Sequence, residues 1–414
     1  MKILFAMPYL PRAVVSALAV AAGKESLSGS QSSILLVADE LATRGHTVGL
    51  WVHGGQRVSD TGTHAFATLE EALAEPWDQI VLGSWEDAGT FDALRAAGVA
   101  PILWTQVPVP RETLLKLEQG LVRGIVVVSD TSRLTLLHSA RASRIGRVYN
   151  PLHPYFARNE TRDASSYESR RVVFTGLLGE TKGAHLVLKM WPHVRRLVPD
   201  ATLTMVGSAK LYRSDIELGP LGLASPEFEA KYVKPVIDQF GTLAAAGIEL
   251  TGLLNPAQLK HLYGSCALGF INFNWYDYTE TFCCVGAEML ACGLPLFSVA
   301  AGALPETMGR SGGALLAATP DIGVGAEMVA RLLTNSGELV RMGSEGRRFV
   351  LSEYALSAIA DEWERLLARG PAELSSATGA WKAGRPARYY LERLVAITRS
   401  ASPYRAIGRL VRGR

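Results

Sequence analysis

The chain runs to 414 residues, long enough for two domains of ordinary size, and its 48% hydrophobic and 20% charged residues are those of a globular protein. A formal net charge of +3 is too small to argue for a nucleic-acid partner, and the four cysteines (Cys266, Cys283, Cys284 and Cys292) have the spacing of neither a disulfide scaffold nor a zinc site. Reduced thiols in a cytoplasmic enzyme without a metal are the simplest account.

Met1 to Ala22 is largely apolar, and Ala19-Val20-Ala21 has the small-x-small form of a leader cleavage site. Pro8, Pro11 and Arg12 interrupt the apolar stretch that a leader needs. No run reaches the ~18 uninterrupted apolar residues that cross a bilayer. Lys2 to Met7 reads as a buried strand, followed by a loop of small residues ending at Ser28-Gly29-Ser30. Ile34, Val37, Ala38 and Leu41 then fall at i, i+3, i+4 and i+7, an amphipathic helix closed by Gly45, and Thr47 to Val52 is the next strand. Apolar runs at Ile80–Leu82, Ile102–Trp104 and Ile125–Val128 continue a parallel sheet.

After Asn150-Pro151, a polar stretch from Ala157 to Ser169 without periodicity reads as a linker. A second alternation begins with a strand at Arg171–Thr175 and a helix from about Ala184. Strands at Ala201–Val206 and Ile248–Thr251, a helix from Pro256, and strands at Ala267–Asn272 and Leu294–Val299 follow. Alternating strands and helices in both halves predict two doubly wound α/β domains, whose ligands bind beyond the carboxyl ends of the strands. The expected boundaries are a first domain over 1–155, a linker over 156–169, a nucleotide-sugar domain over 170–355, a helix returning to the first domain over 356–375, and a basic tail over 376–414. Neither GxGxxG nor a Walker loop follows the first strand.

The segment from Tyr278 to Pro295 carries the most chemistry. Thr281 can cap a helix that Gly293 ends, with Pro295 beyond. Glu280 then precedes the helix and Glu288 projects from its second turn, roughly 12 Å further on if the backbone is helical throughout. Between them the free N–H groups near Phe282 to Val285 offer a phosphate seat. An anion seat between two carboxylates suits a sugar joined to a nucleoside diphosphate.

This segment resembles the Glu-x7-Glu motif of the retaining glycosyltransferases of GT-B fold, family 4 in particular. The family form is Glu-Gly-Phe-Gly then Glu-Ala-Met-Ala-x-Gly-x-Pro. Here Glu280-Thr281-Phe282-Cys283 precedes Glu288-Met289-Leu290-Ala291-Cys292-Gly293-Leu294-Pro295, and Ala301 to Glu306 stands where the family has Gly-Gly-x-Pro-Glu. Gly29-Ser30-Gln31 is similar to the family's glycine loop from the first domain. Val128-Ser129-Asp130 and Val148-Tyr149-Asn150-Pro151 resemble its strand ends near the hinge. Phe174 to Gly183 resembles its Gly-Arg-Leu-x-x-x-Lys-Gly segment, with Lys182 retained and Leu177 in the place of the arginine. Lys210 or Arg213, after Val206-Gly207-Ser208, are candidates to replace that charge.

The resemblance implies a metal-independent transfer without a cofactor, from a nucleoside diphosphate sugar to an acceptor hydroxyl. Glu280 would orient the sugar, Glu288 bind ribose, and Lys182 hold the diphosphate. Phe282, Cys283, Cys284, Gly29, Ser30, Gly176 and Gly207 would surround the donor, with Gly252 and Leu253 against the base. Gln106, Asn274 and Tyr278 would line the acceptor or sugar pocket, with Asn272 and Trp275 nearby. The family's first-domain histidine has no counterpart, since Trp104-Thr105-Gln106 stands there, and His153 and His46 read as structural. Two rival readings use the same donor: a GT-B nucleotide-sugar epimerase, and a non-catalytic nucleotide-sugar-binding partner of a membrane assembly.

From Ser376 onward nine basic residues face the single acid Glu392, so this tail carries +8 and the preceding 33 basic and 38 acidic residues carry −5. Tyr389, Tyr390, Leu394, Ile397, Ile407 and Leu410 interleave with the arginines. The pattern suits either a basic amphipathic helix docked peripherally on an anionic membrane, with a glycan or lipid-linked acceptor, or a disordered solvated tail.

Overall fold

The computed structural model describes residues 1–369 apart from residues 8, 84–87, 159–161, 212–214 and 276–279. Tyr278, Arg213 and the basic tail over 376–414 therefore lie outside the described residues.

Strand β1 (Lys2–Met7) is buried from Ile3 onward without polar alternation, the signature of a strand covered on both faces. Around it lie β2 (Thr47–Val52), β3 (His64–Phe66), β4 (Gln79–Gly83), β5 (Ile102–Thr105), β6 (Gly124–Val127) and β7 (Ile145–Arg147). All pair in parallel in the order β3-β2-β1-β4-β5-β6-β7. The second sheet holds β8 (Arg171–Thr175), β9 (Thr202–Val206), β10 (Ile248–Gly252), β11 (Leu268–Phe270), β12 (Leu296–Val299) and β13 (Ala314–Ala317), parallel in the order β10-β9-β8-β11-β12-β13. Both orders reverse direction beside the first strand of their sheet, between β1 and β4 and between β8 and β11. The loops leaving those strands open the crevices in which doubly wound sheets bind ligands.

Helix α1 (Gly29–Thr43) is capped by Ser28, whose hydroxyl accepts from the Gln31 N–H while Gln31 answers the Ser28 N–H. Its apolar face at Ile34, Val37, Ala38 and Leu41 is fully buried on the first sheet. Helix α2 (Asp130–Leu134) follows β6, and α3 (Ala184–Leu197) follows β8. The motif helix α4 (Cys284–Ala291) lies between β11 and β12. Helix α5 (Leu356–Arg369), beyond the second sheet in sequence, packs on α1 of the first domain. Its Trp363 is 0% exposed, 4.6 Å from the Trp104 ring and 6.2 Å from Phe5. Arg44 strengthens that seam with Asp361 at 2.5 Å and Glu364 at 3.0 Å. Among the described residues no helix is long and apolar enough to cross a membrane.

Several expected ends move. The strand expected to run to Asn272 stops at Phe270, because Asn272 and Asn274 leave the ladder to make side-chain contacts. Thr281 is not the cap of α4. Cys283 holds that position with a left-handed φ of 74°, so residues 280–283 are not helical and the assumed rise from Glu280 to Glu288 does not apply. The expected linker is packed over 162–169: the Tyr167 hydroxyl donates to the Gly293 carbonyl at 2.8 Å and Arg162 to that of Tyr263 at 2.7 Å.

Trp363→Ala should cost about 3–5 kcal/mol, the range for emptying a fully buried indole site. Urea unfolding followed on the first domain would measure it, and a loss under about 1 kcal/mol would show that α5 does not complete that core.

Candidate functional site

The loops after β8 and β11 meet at the switch point of the second sheet. The first carries Lys182 and the second Glu280, and Lys182 Nζ lies 2.8 Å from Glu280 Oε2. Asn272 Nδ2 donates to the same oxygen at 3.0 Å. The Phe282 N–H completes the set. Burial alone would push the Glu280 carboxyl up, but the Lys182 charge and these hydrogen bonds outweigh it and hold the carboxyl below its usual range. The Phe273 N–H donates to the Lys182 carbonyl at 3.0 Å, and Asn274 Nδ2 to the Glu180 carbonyl at 2.9 Å. Asn274 thus straps the two loops together, and its carboxamide is engaged by the loop that carries Lys182.

Glu288 stands on the second turn of α4, half-buried beside Tyr263, Cys284 and Cys292. None of these neighbours carries charge, and burial pushes the Glu288 carboxyl up to about 8. The carboxyl therefore stands mostly protonated at neutral pH, able both to donate and to accept. Burial pushes the Cys284 thiol up to about 12 as well, which leaves it a neutral wall residue and no nucleophile.

The N–H groups expected to offer an anion seat near Phe282 to Val285 narrow to those of Cys284 and Val285. The Phe282 N–H serves Glu280, and the Phe282 ring is buried between Tyr149 and Tyr354. With α4 starting at Cys284, the first-turn N–H groups of Cys284 and Val285 are those that a helix leaves without internal partners. Cys283 occupies the family's glycine position with a backbone that glycine adopts without strain.

The first domain supplies the opposite wall. Gly29, first residue of α1, approaches so closely that a Cβ there would stand 2.9 Å from Cys284 Sγ. Ser30 lies beside it, its hydroxyl 3.3 Å from that of Ser28. The Gln106 carbonyl accepts from Thr281 Oγ1 at 2.7 Å, and its side-chain oxygen from Asn150 Nδ2 at 2.6 Å. Asn150 also reaches Cys284 Sγ at 3.6 Å. On the second domain Gly176 and Gly207 follow β8 and β9 and Gly252 ends β10, the Gly176 N–H on the Val206 carbonyl and the Gly207 N–H on that of Gly252. Leu253 beyond them is exposed, as is Lys210. Leu177 is half-buried.

The structure thus gathers Glu280, Lys182, Cys284, Gly29 and Gln106 at one cleft. His153 is buried at the hinge, pushed down to about 4 by burial, and His46 lies 2.9 Å from Glu364. Asn150 and Thr281 join the cleft without having been singled out for it. Their only signal was proximity to the hinge and motif segments.

Residues 158–349 match the family model described as glycosyl transferases group 1. Spore coat protein SA of Bacillus subtilis (strain 168) is 25% identical over 256 residues, 58% of this chain and 63% of that protein. The MMP alpha-(1->4)-mannosyltransferase of Mycolicibacterium hassiacum is 33% identical over 95 residues, 22% of this chain and 23% of its own length. The chain thus spans less than two thirds of the curated relatives it matches. Among solved structures, Anabaena Alr3699/HepE in complex with UDP aligns with a TM-score of 0.63 at 15% identity over 89% of this chain and 100% of that one. The sucrose-phosphate synthase of Thermosynechococcus elongatus aligns at 0.64 and 15%, over 88% and 98%. The shared fold is GT-B, two Rossmann-like domains facing across a cleft.

Lys182→Ala and Glu288→Gln should carry opposite pH signatures. The depressed Glu280 carboxyl contributes stability above its unfolded value of 4.5 that is lost as pH falls. Removing Lys182 should therefore cost about 1–3 kcal/mol at neutral pH, a deficit that narrows in acid. Glu288 contributes fully below 4.5 and loses that contribution as pH rises towards 8, so Glu288→Gln should gain on the wild type across that interval. Chemical denaturation at several pH values checks both, and parallel curves for all three proteins would contradict the assignment.

Proposed function

We infer that this chain, whose residues 158–349 match the family model of glycosyl transferases group 1, is a retaining glycosyltransferase similar to family 4. It moves a sugar from a nucleoside diphosphate sugar to an acceptor hydroxyl, without a metal. The observation that carries the reading is the 2.8 Å Lys182–Glu280 pair beside the first turn of α4. A cation, helix N–H groups and an oriented carboxylate stand at the switch point where a doubly wound sheet receives its ligand.

On this reading the diphosphate takes the N–H groups of Cys284 and Val285 and draws Lys182 from Glu280, neutralising charge as the nucleotide departs. Glu280, still held by Asn272 and the Phe282 N–H, orients the sugar. Glu288, protonated or charged, holds the ribose diol, while Gly176, Gly207, Gly252 and Leu253 receive the base. Gly29 and Ser30 approach the sugar phosphate from the first domain, and Gln106 faces sugar or acceptor. The protein contributes positioning and charge stabilisation. UDP is bound by the Anabaena structure of the same fold, and a UDP-sugar is accordingly the first donor to try. The basic tail over 376–414 motivates a peripheral place on the inner membrane face and a lipid-linked or polysaccharide acceptor.

Leu177, in the place of the family arginine, favours a second reading, a nucleotide-sugar-binding partner without turnover. Nucleotide release from UDP-, GDP- and ADP-sugars, metal-free, with and without membrane extract, separates the two. The transferase releases one nucleotide in an extract-dependent way, and Glu280→Ala lowers that rate by about 100-fold or more. Donor binding without release under any condition would overturn the enzyme reading.

A further inference from the structure

The loop over 301–307, leaving β12, reaches three places at once. Gly302 has a φ of 54° and packs so tightly on Glu280 that a Cβ would stand 2.6 Å from its carbonyl oxygen. The Ala303 N–H donates to that oxygen at 2.8 Å. Thr307 Oγ1 donates to the Phe282 carbonyl at 2.8 Å. This loop therefore grips the backbone on both sides of Thr281, just ahead of the first turn of α4.

Between those grips Glu306, 0% exposed, sends its carboxylate into the first domain. Oε1 accepts from the Asp130 N–H at 2.7 Å and the Tyr149 hydroxyl at 2.9 Å. Oε2 accepts from the Thr131 N–H at 2.7 Å and the Thr131 hydroxyl at 2.6 Å. All four donors belong to the first domain, and the two N–H groups open α2, where a helix leaves them without internal partners. Burial and the adjacent Glu306 charge push the Tyr149 hydroxyl far up, so it stays a donor. Arg147 lies 3.9 Å over the Tyr149 ring and reaches Glu362 of α5 at 3.0 Å. The two chain crossings are tied as well, the Leu152 N–H to the Tyr354 carbonyl at 2.6 Å and the Tyr354 hydroxyl to the Thr307 carbonyl at 2.7 Å.

We propose that Glu306 is a positioning residue, a pin between the domains that sets Glu280 and the anion seat against the first-domain wall of Gly29 and Gln106. The proposal rests on the glycosyltransferase reading of the cleft. An apolar contact would let the domains slide, whereas a carboxylate that satisfies four fixed donors accepts one arrangement, because any shift leaves buried groups unpaired. The pin sits away from the reacting atoms and acts through the Ala303 and Thr307 grips.

Glu306→Gln preserves size but turns an NH2 towards one of the two backbone N–H groups, donor against donor. Tyr149→Phe removes a single donor and serves as the milder, fold-safe variant. Hydrogen exchange in Glu306→Gln should quicken by about tenfold or more both at 130–134 and at the Ala303 amide, with a smaller change of the same pattern in Tyr149→Phe. Donor turnover at saturation should fall by about tenfold or more while KM changes less than about threefold. Faster exchange confined to 130–134, with turnover per folded molecule unchanged, would overturn the proposal and leave Glu306 a stabilising contact alone. If the wild type turns over none of the UDP-, GDP- and ADP-sugars, the transferase reading fails by itself. Exchange at Ala303 then decides the pin: quickening supports it, and an unchanged rate overturns it.

Discussion

A carboxylate in the floor of a cleft demands compensation, and the second domain is arranged around that demand. The Glu280 side chain is 8% exposed, too little for water alone to solvate its charge. Its compensation arrives from separate loops: Lys182 after β8, Asn272 and the Phe282 N–H after β11. The loop after β12 holds the Glu280 backbone rather than its charge. The three loops leave the carboxyl ends of three strands, and the order β8-β11-β12 places those ends side by side.

The same arrangement explains how the cleft holds its charged groups as a compensated pair. Lys182 and Glu280 satisfy one another, and on the proposed reading an incoming diphosphate would exchange one anion for another at Lys182 rather than meet a bare cation. Asn272 keeps the carboxylate aimed during that exchange. The first domain adds close backbone approach at Gly29, the Gln106 carbonyl that accepts from Thr281, and the Asn150 amide on Cys284 Sγ, contacts that respond to domain separation. On the same proposal, Leu177 removes one cation and would place more of the anion binding on Lys182 and the first turn of α4.

The long buried strands were legible because their residues are apolar on both faces. Lys2–Met7, Thr47–Val52 and Arg171–Thr175 stand as expected. The three- and four-residue strands His64–Phe66, Ile145–Arg147 and Ala314–Ala317 carry too few residues for a period to show. Thr281 looked like a cap because caps are read from local chemistry, yet its hydroxyl goes to the Gln106 carbonyl 175 positions away. Glu280 was read from its place before a helix start and Lys182 from a family likeness, and their mutual contact from neither, since no spacing along the chain encodes it. Glu306 was visible within a similar loop, but its partners, Asp130, Thr131 and Tyr149, lie more than 150 positions off and belong to the other sheet.

A crystal structure with the nucleoside diphosphate that the protein binds most tightly tests the central claim most directly. The account predicts a phosphate on the N–H groups of Cys284 and Val285 and on Lys182, ribose on Glu288, and the 2.8 Å Lys182–Glu280 contact opened. A nucleotide seated elsewhere, with that ion pair unbroken, would contradict it.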